Sequence, residues 1–289
     1  WQQIAFLIHD AAHNGILAPS VGGGFNKLAW FLGSPFFGAS LSMWITEHSL
    51  HHAITLRPRE DPQFDYLPVW LTSEKELLVP WTDINILHRI MVPIQHITFV
   101  PILIVLGRLN FYAISISFLV RNLLSGGCKR HQVFGMVMDI VGIVFFFSGL
   151  MMLTLQLPDR REQVLFLLSS HFTIGFLHLQ LLLSHLATDT YTVEEERSLQ
   201  FFAFQVQTTR NLEVAEWSHW FHGGLEYQIE HHLFPQLPRH YLQEVQPLIR
   251  DICHRHGVQY RSVGFGDALA EVLSDLRSLA GAIAPPTMG

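Results

Sequence analysis

The sequence predicts an all-α, multi-pass integral membrane domain with a cytosolic cap that carries a histidine-rich dimetal site. Three observations predict it. The 289 residues are 49% hydrophobic and only 15% charged, and the mean hydropathy is +0.27, above that of an ordinary soluble domain. Two segments are long and apolar enough to cross a bilayer. Eighteen histidines recur in tight clusters. Composition also narrows the partners. Eighteen Lys+Arg against 24 Asp+Glu give a formal charge of −6 with no long basic run, so nucleic acid is not expected as a partner. Cys128 and Cys253 lie far apart without a CxxC, which offers neither a disulfide framework nor a thiolate zinc site and fits a reducing, cytosol-facing environment.

Taken in order, Trp1–Ile8 is an apolar run too short to span a bilayer and reads as the stump of a truncated membrane helix. Leu28–Ile45, Val92–Leu109 and Phe111–Leu124 are apolar but interrupted by Gly33, Pro35, Gly38, Pro93 and Pro101, which suits interfacial or re-entrant pieces better than plain spans. Val133–Leu155 and Gln163–Leu186 are each roughly 34 to 36 Å long if helical, enough to cross as a transmembrane hairpin. Their connector, Gln156–Glu162, has the length and polarity of a turn between antiparallel helices. Lys129, Arg130 and His131 put the start of the first span in the cytosol. Residues 188–260 read as a cytosolic cap, and Asp267–Ala284 as one amphipathic helix closed by Pro285 and Pro286. A single domain, N-terminally truncated, is expected over 1–289.

Three histidine clusters carry the chemistry: His9 and His13 in HDAAH, His48 with His51 and His52 in HSLHH, and His231 with His232 in QIEHH. On a helix, residues i, i+3 and i+4 share a face, so HxxxH and HxxHH aim imidazoles into one space. Neighbours such as His51 and His52 differ by roughly 100° about the axis, and each such pair can serve two adjacent metal ions. Imidazole suits iron, zinc, copper and nickel. Glu47 and Glu230, beside the histidines, are candidates to accept an imidazole N–H from behind the ligands. His171, His178 and His185 recur every seven residues, but the first two lie about 21 and 10 Å from the third along a helix axis, out of range of one metal cluster. His171 and His178 are therefore expected to pack or line a tunnel.

The ordered set HDAAH, HSLHH, QIEHH resembles the three histidine boxes of the membrane fatty acid desaturases. In the third box Gln228 stands where most of that family has histidine, and QIEHHLFPQLPRH resembles the front-end subgroup, which includes Δ5, Δ6 and Δ8 acyl and sphingoid-base enzymes. WFHGGLEY, QTTRN and DPQF (Asp61–Phe64) look like that subgroup's flanking motifs.

The resemblance implies that His9, His13, His48, His51, His52, His231 and His232 ligate two irons (Fe2+/Fe3+). It adds His185, matched to a lone histidine at the end of the last transmembrane helix, and Gln228, through its carbonyl oxygen or a water. Asn211 is a candidate supporting residue or a plain turn residue, and His219 and His222 are structural. It further implies O2 as co-substrate, a lipid acyl chain or sphingoid base as substrate, and electrons from cytochrome b5 and its reductase. Residence in the endoplasmic reticulum with the metal site facing the cytosol follows from the same resemblance. Front-end enzymes are typically fused to an N-terminal cytochrome b5 domain with an HPGG motif, and no HPGG occurs here, which leaves the cytochrome fused upstream or separate. Arg210, Arg239 and Lys129 are offered as contacts for a head group, with a solvated charge the stronger reading. A histidine-box lipid hydroxylase, or a zinc-binding membrane receptor or hydrolase, remain as alternatives.

Overall fold

The computed structural model describes residues 1–16, 27–64, 70–79, 85–125, 127 and 129–281, and these are mostly helical. Cys128, Pro285, Pro286 and the end of the expected C-terminal helix lie outside the described residues. The chain forms two compact units, one of Trp1–Glu47 with Leu103–His178, the other of His48–Ile102 with Leu179–Gly289.

The first unit opens with α1 (Gln2–Ala12) and α2 (Lys27–Phe37). Ile8 and Ala11 of α1 pack with Ala29 of α2 and with Leu41, the first residue of α3 (Leu41–Ala53). Helices α2 and α3 meet at 112°, a broken span or a re-entrant loop, as the glycines and Pro35 of this stretch foretell.

Among the described residues, three stretches of helix are long and apolar enough to cross a membrane: Ile86–Ser125, Arg130–Leu155 and Arg160–Leu183. The last two are α6 and α7, whose bounds lie within three residues of those expected for the two spans. The first corrects the sequence reading. Val92–Leu109 and Phe111–Leu124 are not separate pieces: after the short α4 (Ile86–Met91), α5 runs unbroken from Gln95 to Ser125 with Pro101 inside it. Pro93 falls in the 3-10 turn that precedes α5, where it interrupts nothing. Pro101 removes one intrahelical bond, and the other turns carry the helix past it.

The second unit gathers short helices. Asn85 caps α4 by accepting from the amides of Leu87 and His88. Val206 on α9 (Phe201–Gln207, after the single turn α8, Val193–Glu196), Ile229 on α11 (Gln228–Leu233, after α10, His219–His222) and Ile249 and Cys253 on α12 (Leu242–His256) form one buried cluster. The all-α expectation needs one amendment. Strands β1 (Asn211–Glu213) and β2 (Ser262–Gly264) pair in parallel, Asn211 opposite Ser262. The final helix, α13, spans Phe265–Leu279, starting earlier than expected because Gly264 is its N-cap.

Candidate metal centre

Within the second unit the local structure brings six imidazoles together. His48, His51 and His52 occupy the last turns of α3, and His231 and His232 the end of α11, all of them buried. His185 lies two residues past Leu183, the last helical residue of α7, rather than on the span itself. Ala187 then turns the chain away in a left-handed conformation, φ 58°.

Four of these rings share one arrangement. The Nδ1 of His48 is 3.1 Å from Gln63 Oε1, that of His51 is 2.7 Å from Asp61 Oδ2, that of His185 is 3.3 Å from the Thr208 carbonyl oxygen, and that of His232 is 2.8 Å from Gln205 Oε1. An acceptor at Nδ1 holds the proton there and leaves the Nε2 lone pair as a metal donor. On one side, the Nε2 of His52 lies 3.2 Å from that of His48 and 3.1 Å from that of His231. Nitrogens bound to one ion at about 2.0 to 2.1 Å lie about 3 to 3.4 Å apart, so this spacing fits ligands of a common cation. On the other side, His51, His185 and His232 each offer a nitrogen within 4.8 Å of the others. The adjacent pairs thus divide: His51 and His232 fall in one set and His52 and His231 in the other with His48, while the His52 ring stacks on that of His232 at 4.3 Å.

Two orphaned atoms mark the space. His232 Nε2 and Gln228 Oε1 are buried without a hydrogen-bond partner among the described residues, while the Gln228 amide nitrogen is 3.1 Å from His185 Nε2. Burial holds the His185 and His232 imidazoles well below the usual histidine pKa, and charge on neighbouring rings, His51 for His185 and His52 for His232, adds to it. Both rings are neutral at physiological pH, as metal binding requires. A set of neutral imidazoles with an amide oxygen fits a first-row transition metal rather than a hard cation.

The other expected residues are placed as follows. His9 and His13, in the first unit, face each other at 4.7 Å between ring centroids, both against Trp44, with His9 Nδ1 3.3 Å from Asp10. Glu47 is half-buried on α3. Glu230 is corrected: its carboxylate turns away from the rings, because the residue preceding His231 sits about 100° around the helix. Its oxygens accept instead from Asn211 Nδ2 at 2.7 Å and Tyr260 Oη at 2.7 Å. Burial raises the Glu230 pKa. Asn211 Oδ1 accepts from the Ile229 amide at 2.9 Å, so Asn211 ties β1 to the third box and is more than a turn residue.

Arg210 is also corrected. Fully buried, it donates from Nε to the Leu183 carbonyl at 2.6 Å and from Nη1 to Glu271 at 2.6 Å, closing the helix end before His185 instead of meeting solvent or a head group. Burial lowers its pKa to about 10. His219 pairs with Glu226 at 2.7 Å and His222 with Gln180, structural partners both. His171 bonds back to the Leu167 carbonyl, and His178 packs against Gly107. Gly223 and Gly224, at φ 61° and 91°, make the left-handed turn that leads into α11.

Sequence reasoning missed four groups that aim the imidazoles: Asp61, Gln63, Gln205 and the Thr208 carbonyl. Asp61 and Gln63 lie in the DPQF motif already singled out. Gln205 carries a fainter signal, a single amide inside the apolar run FFAFQV.

The fatty acid desaturase family model matches residues 1–264. The chain is 34% identical over 295 residues to Delta 8-(E)-sphingolipid desaturase of Komagataella phaffii, a match covering 97% of this chain and 52% of that protein. It is 32% identical to Delta(8)-fatty-acid desaturase of Helianthus annuus, covering 97% and 60%, and 31% identical to that of Borago officinalis, covering 96% and 61%. The chain therefore spans about half to three-fifths of the length of these curated relatives. No solved structure matches it. With the family's motif extending over nine-tenths of its length and relatives of this kind along nearly all of it, the chain belongs to the fatty acid desaturase family, in the front-end subgroup that its third histidine box resembles.

Proposed function

We propose that this chain is the catalytic membrane portion of an oxygen-dependent front-end desaturase, an oxidoreductase that places a double bond at the Δ8 position of a sphingoid base or fatty acyl chain. The observation that carries this reading is the common arrangement of His48, His51, His185 and His232, each with Nδ1 on an acceptor and Nε2 left to bind metal. The position rests on the names of the relatives, which are Δ8 enzymes of both substrate classes. Two irons are held by the two sets, His48, His52 and His231 in one and His51, His185 and His232 in the other. His9 and His13 complete the ligands on the strength of the family's first box, and Gln228 contributes its amide oxygen. Two reduced irons, when bound, supply with dioxygen an oxidant strong enough for an unactivated C–H bond, which acid–base chemistry cannot reach.

The chain's own part is to keep the imidazoles neutral and aimed, to keep water out of a buried site, and to hold the substrate still. Neighbouring methylenes are chemically alike, so only position selects between them. Electrons come from cytochrome b5, fused or separate, and its reductase. The protein sits in the endoplasmic reticulum membrane as a multi-pass chain, with residues 188–260 as a cap on the cytosolic side.

The test is a lipid profile of yeast expressing the full-length parent gene and fed polyunsaturated and long-chain-base precursors, with double bonds located by mass spectrometry. New Δ8 bonds that vanish in His52→Ala and His232→Ala at unchanged protein abundance are expected. A hydroxylated product would move the assignment to a lipid hydroxylase. No new product together with one zinc per purified chain would overturn it in favour of a zinc-binding receptor or hydrolase.

A further inference from the structure

A carboxylate sits in the first half of α6, a helix long and apolar enough to cross a membrane. Asp139 is fully buried there. Ionisable side chains in such helices are rare and mark function. Its Oδ1 accepts from Ser34 Oγ at 2.6 Å and the Leu41 amide at 3.1 Å, and its Oδ2 from Ser40 Oγ at 2.7 Å and the Ser42 amide at 3.0 Å. The remaining amides at this helix start are also placed. Met43 donates to Ser40 Oγ and Ser40 to Ser115 Oγ, both at 3.1 Å, before the first regular bond, from Trp44 to the Ser40 carbonyl. A helix begins with N–H groups that its own ladder cannot satisfy, and away from water other groups must take them. For α3 that acceptor is chiefly Asp139.

The packing allows it. Gly135 and Gly142 flank Asp139 on the same face of α6. A Cβ on Gly142 would lie 2.7 Å from Ser34 Cβ and 2.9 Å from the Pro35 nitrogen, and one on Gly135 would lie 2.8 Å from the Trp30 ring. Helix α2 therefore lies close enough for one carboxylate to reach both sides of the 112° break, Ser34 before it and Ser40 to Ser42 after it.

We infer that Asp139 is a positioning residue for the second histidine box: by fixing the first turn of α3, it sets the rotation and axial position at which His48, His51 and His52 leave the far end of the same helix. A helix of 13 residues transmits a turn or slip of its start to its last turns. Ring nitrogens spaced 3.1 to 3.2 Å apart leave little room for either. The role toward metal rests on the proposed function, whereas the cap does not.

The test uses the full-length protein purified from membranes, with Asp139→Asn compared to wild type and to Leu119→Ala. The control opens space at a buried position of α5 without removing any of these bonds. Asparagine keeps one acceptor oxygen but turns an NH2 toward another donor. Hydrogen exchange read over Leu41–Glu47 should accelerate by about tenfold or more in Asp139→Asn alone. Iron per chain should fall below about half, with a changed Mössbauer spectrum. Unchanged exchange, or faster exchange with unaltered iron and spectrum, overturns the inference. If Asp139→Asn does not accumulate, Ser40→Ala, which removes one bond to Asp139 and the acceptor of Met43, should give the same changes at smaller size. A wild-type protein without iron but with the exchange result would sink the metal reading and leave the cap standing.

Discussion

Asp61 serves two groups with one oxygen. Its Oδ2 is 2.7 Å from His51 Nδ1 and 2.8 Å from the Leu56 amide, while Oδ1 accepts from the Gln63 amide, whose side chain in turn faces His48. One carboxylate thus orients two imidazoles, the second through its neighbour. Asp61→Asn cannot accept at both positions, and groups behind metal ligands are commonly worth 10 to 100-fold in affinity or activity. We expect iron per chain and double-bond formation to fall together by about that factor. Full iron with full activity would remove Asp61 from the machinery. Gln205 is the matching case on the other ring set, accepting from His232 Nδ1 and donating to the His52 carbonyl at 2.9 Å. Gln205→Leu removes the shorter bond to His232 Nδ1, leaving Thr55 Oγ1 at 3.4 Å, and the bond to the His52 carbonyl, a cost of about 1 to 3 kcal/mol that a lowered thermal midpoint would report. Gln205→Glu, which keeps the acceptor for His232, should fall between. The histidines themselves were legible because clusters at helical spacing stand out in any sequence. Asp61 was legible as part of a motif but not as a partner of His51. The chain reverses between them at Leu56, φ 55°, and nothing in a run of ten residues announces which way a left-handed leucine will turn it.

Helix α11 has six residues, too few to be stable alone. Its place is fixed from outside. Asn211 on β1 holds the Ile229 amide and one Glu230 oxygen, Tyr260 holds the other, and the short parallel pairing of β1 with β2 keeps Asn211 and Tyr260 in register. Burial raises the Tyr260 pKa, and the Glu230 charge adds to it, so the phenol remains a donor throughout the physiological range. Tyr260→Phe should therefore cost about 1 to 2 kcal/mol of stability and loosen His231 and His232 together. The measurement is hydrogen exchange across Gln228–Leu233 alongside the thermal midpoint. A lower midpoint with unchanged exchange there would make Tyr260 a general packing residue. At this scale sequence reading did well where one helix makes its own pattern, as in α6 and α7. It failed at α5, since Pro93 and Pro101 look like breaks in a linear string. The start of that helix is anchored by something the string does not show: the Gln95 side chain bonds the backbone of Leu71 at both ends of its amide and the Leu276 carbonyl. The strands were invisible for the same reason, three residues each and meaningful only as a pair.

Across the whole molecule, binding should appear as stability. An ion that binds only the folded chain stabilises it by an amount that grows with the logarithm of its concentration over Kd, about 4 kcal/mol at a thousandfold excess. Little of that gain goes into preparing the rings, because burial already keeps His185 and His232 neutral and each Nδ1 of theirs already has its acceptor. What a bound ion would add is a partner for His232 Nε2 and Gln228 Oε1, which have none among the described residues, and separation of the close Nε2 atoms of His48, His52 and His231. Chelation of purified full-length protein should accordingly lower its apparent thermal midpoint by several degrees, and readdition of Fe2+ should restore it. In His232→Ala the wild-type gap between loaded and stripped protein should shrink, because one ligand is gone before any metal is removed. His171→Ala, which alters a ring bonded to its own helix, should keep the full gap. The histidine variants separate metal stabilisation from general damage: both remove an imidazole, and only one of those imidazoles faces the others. If chelation leaves the midpoint unmoved in the wild-type protein, the converging nitrogens hold no tightly bound ion. Their spacing would then need another explanation, with protons shared between rings the first to examine.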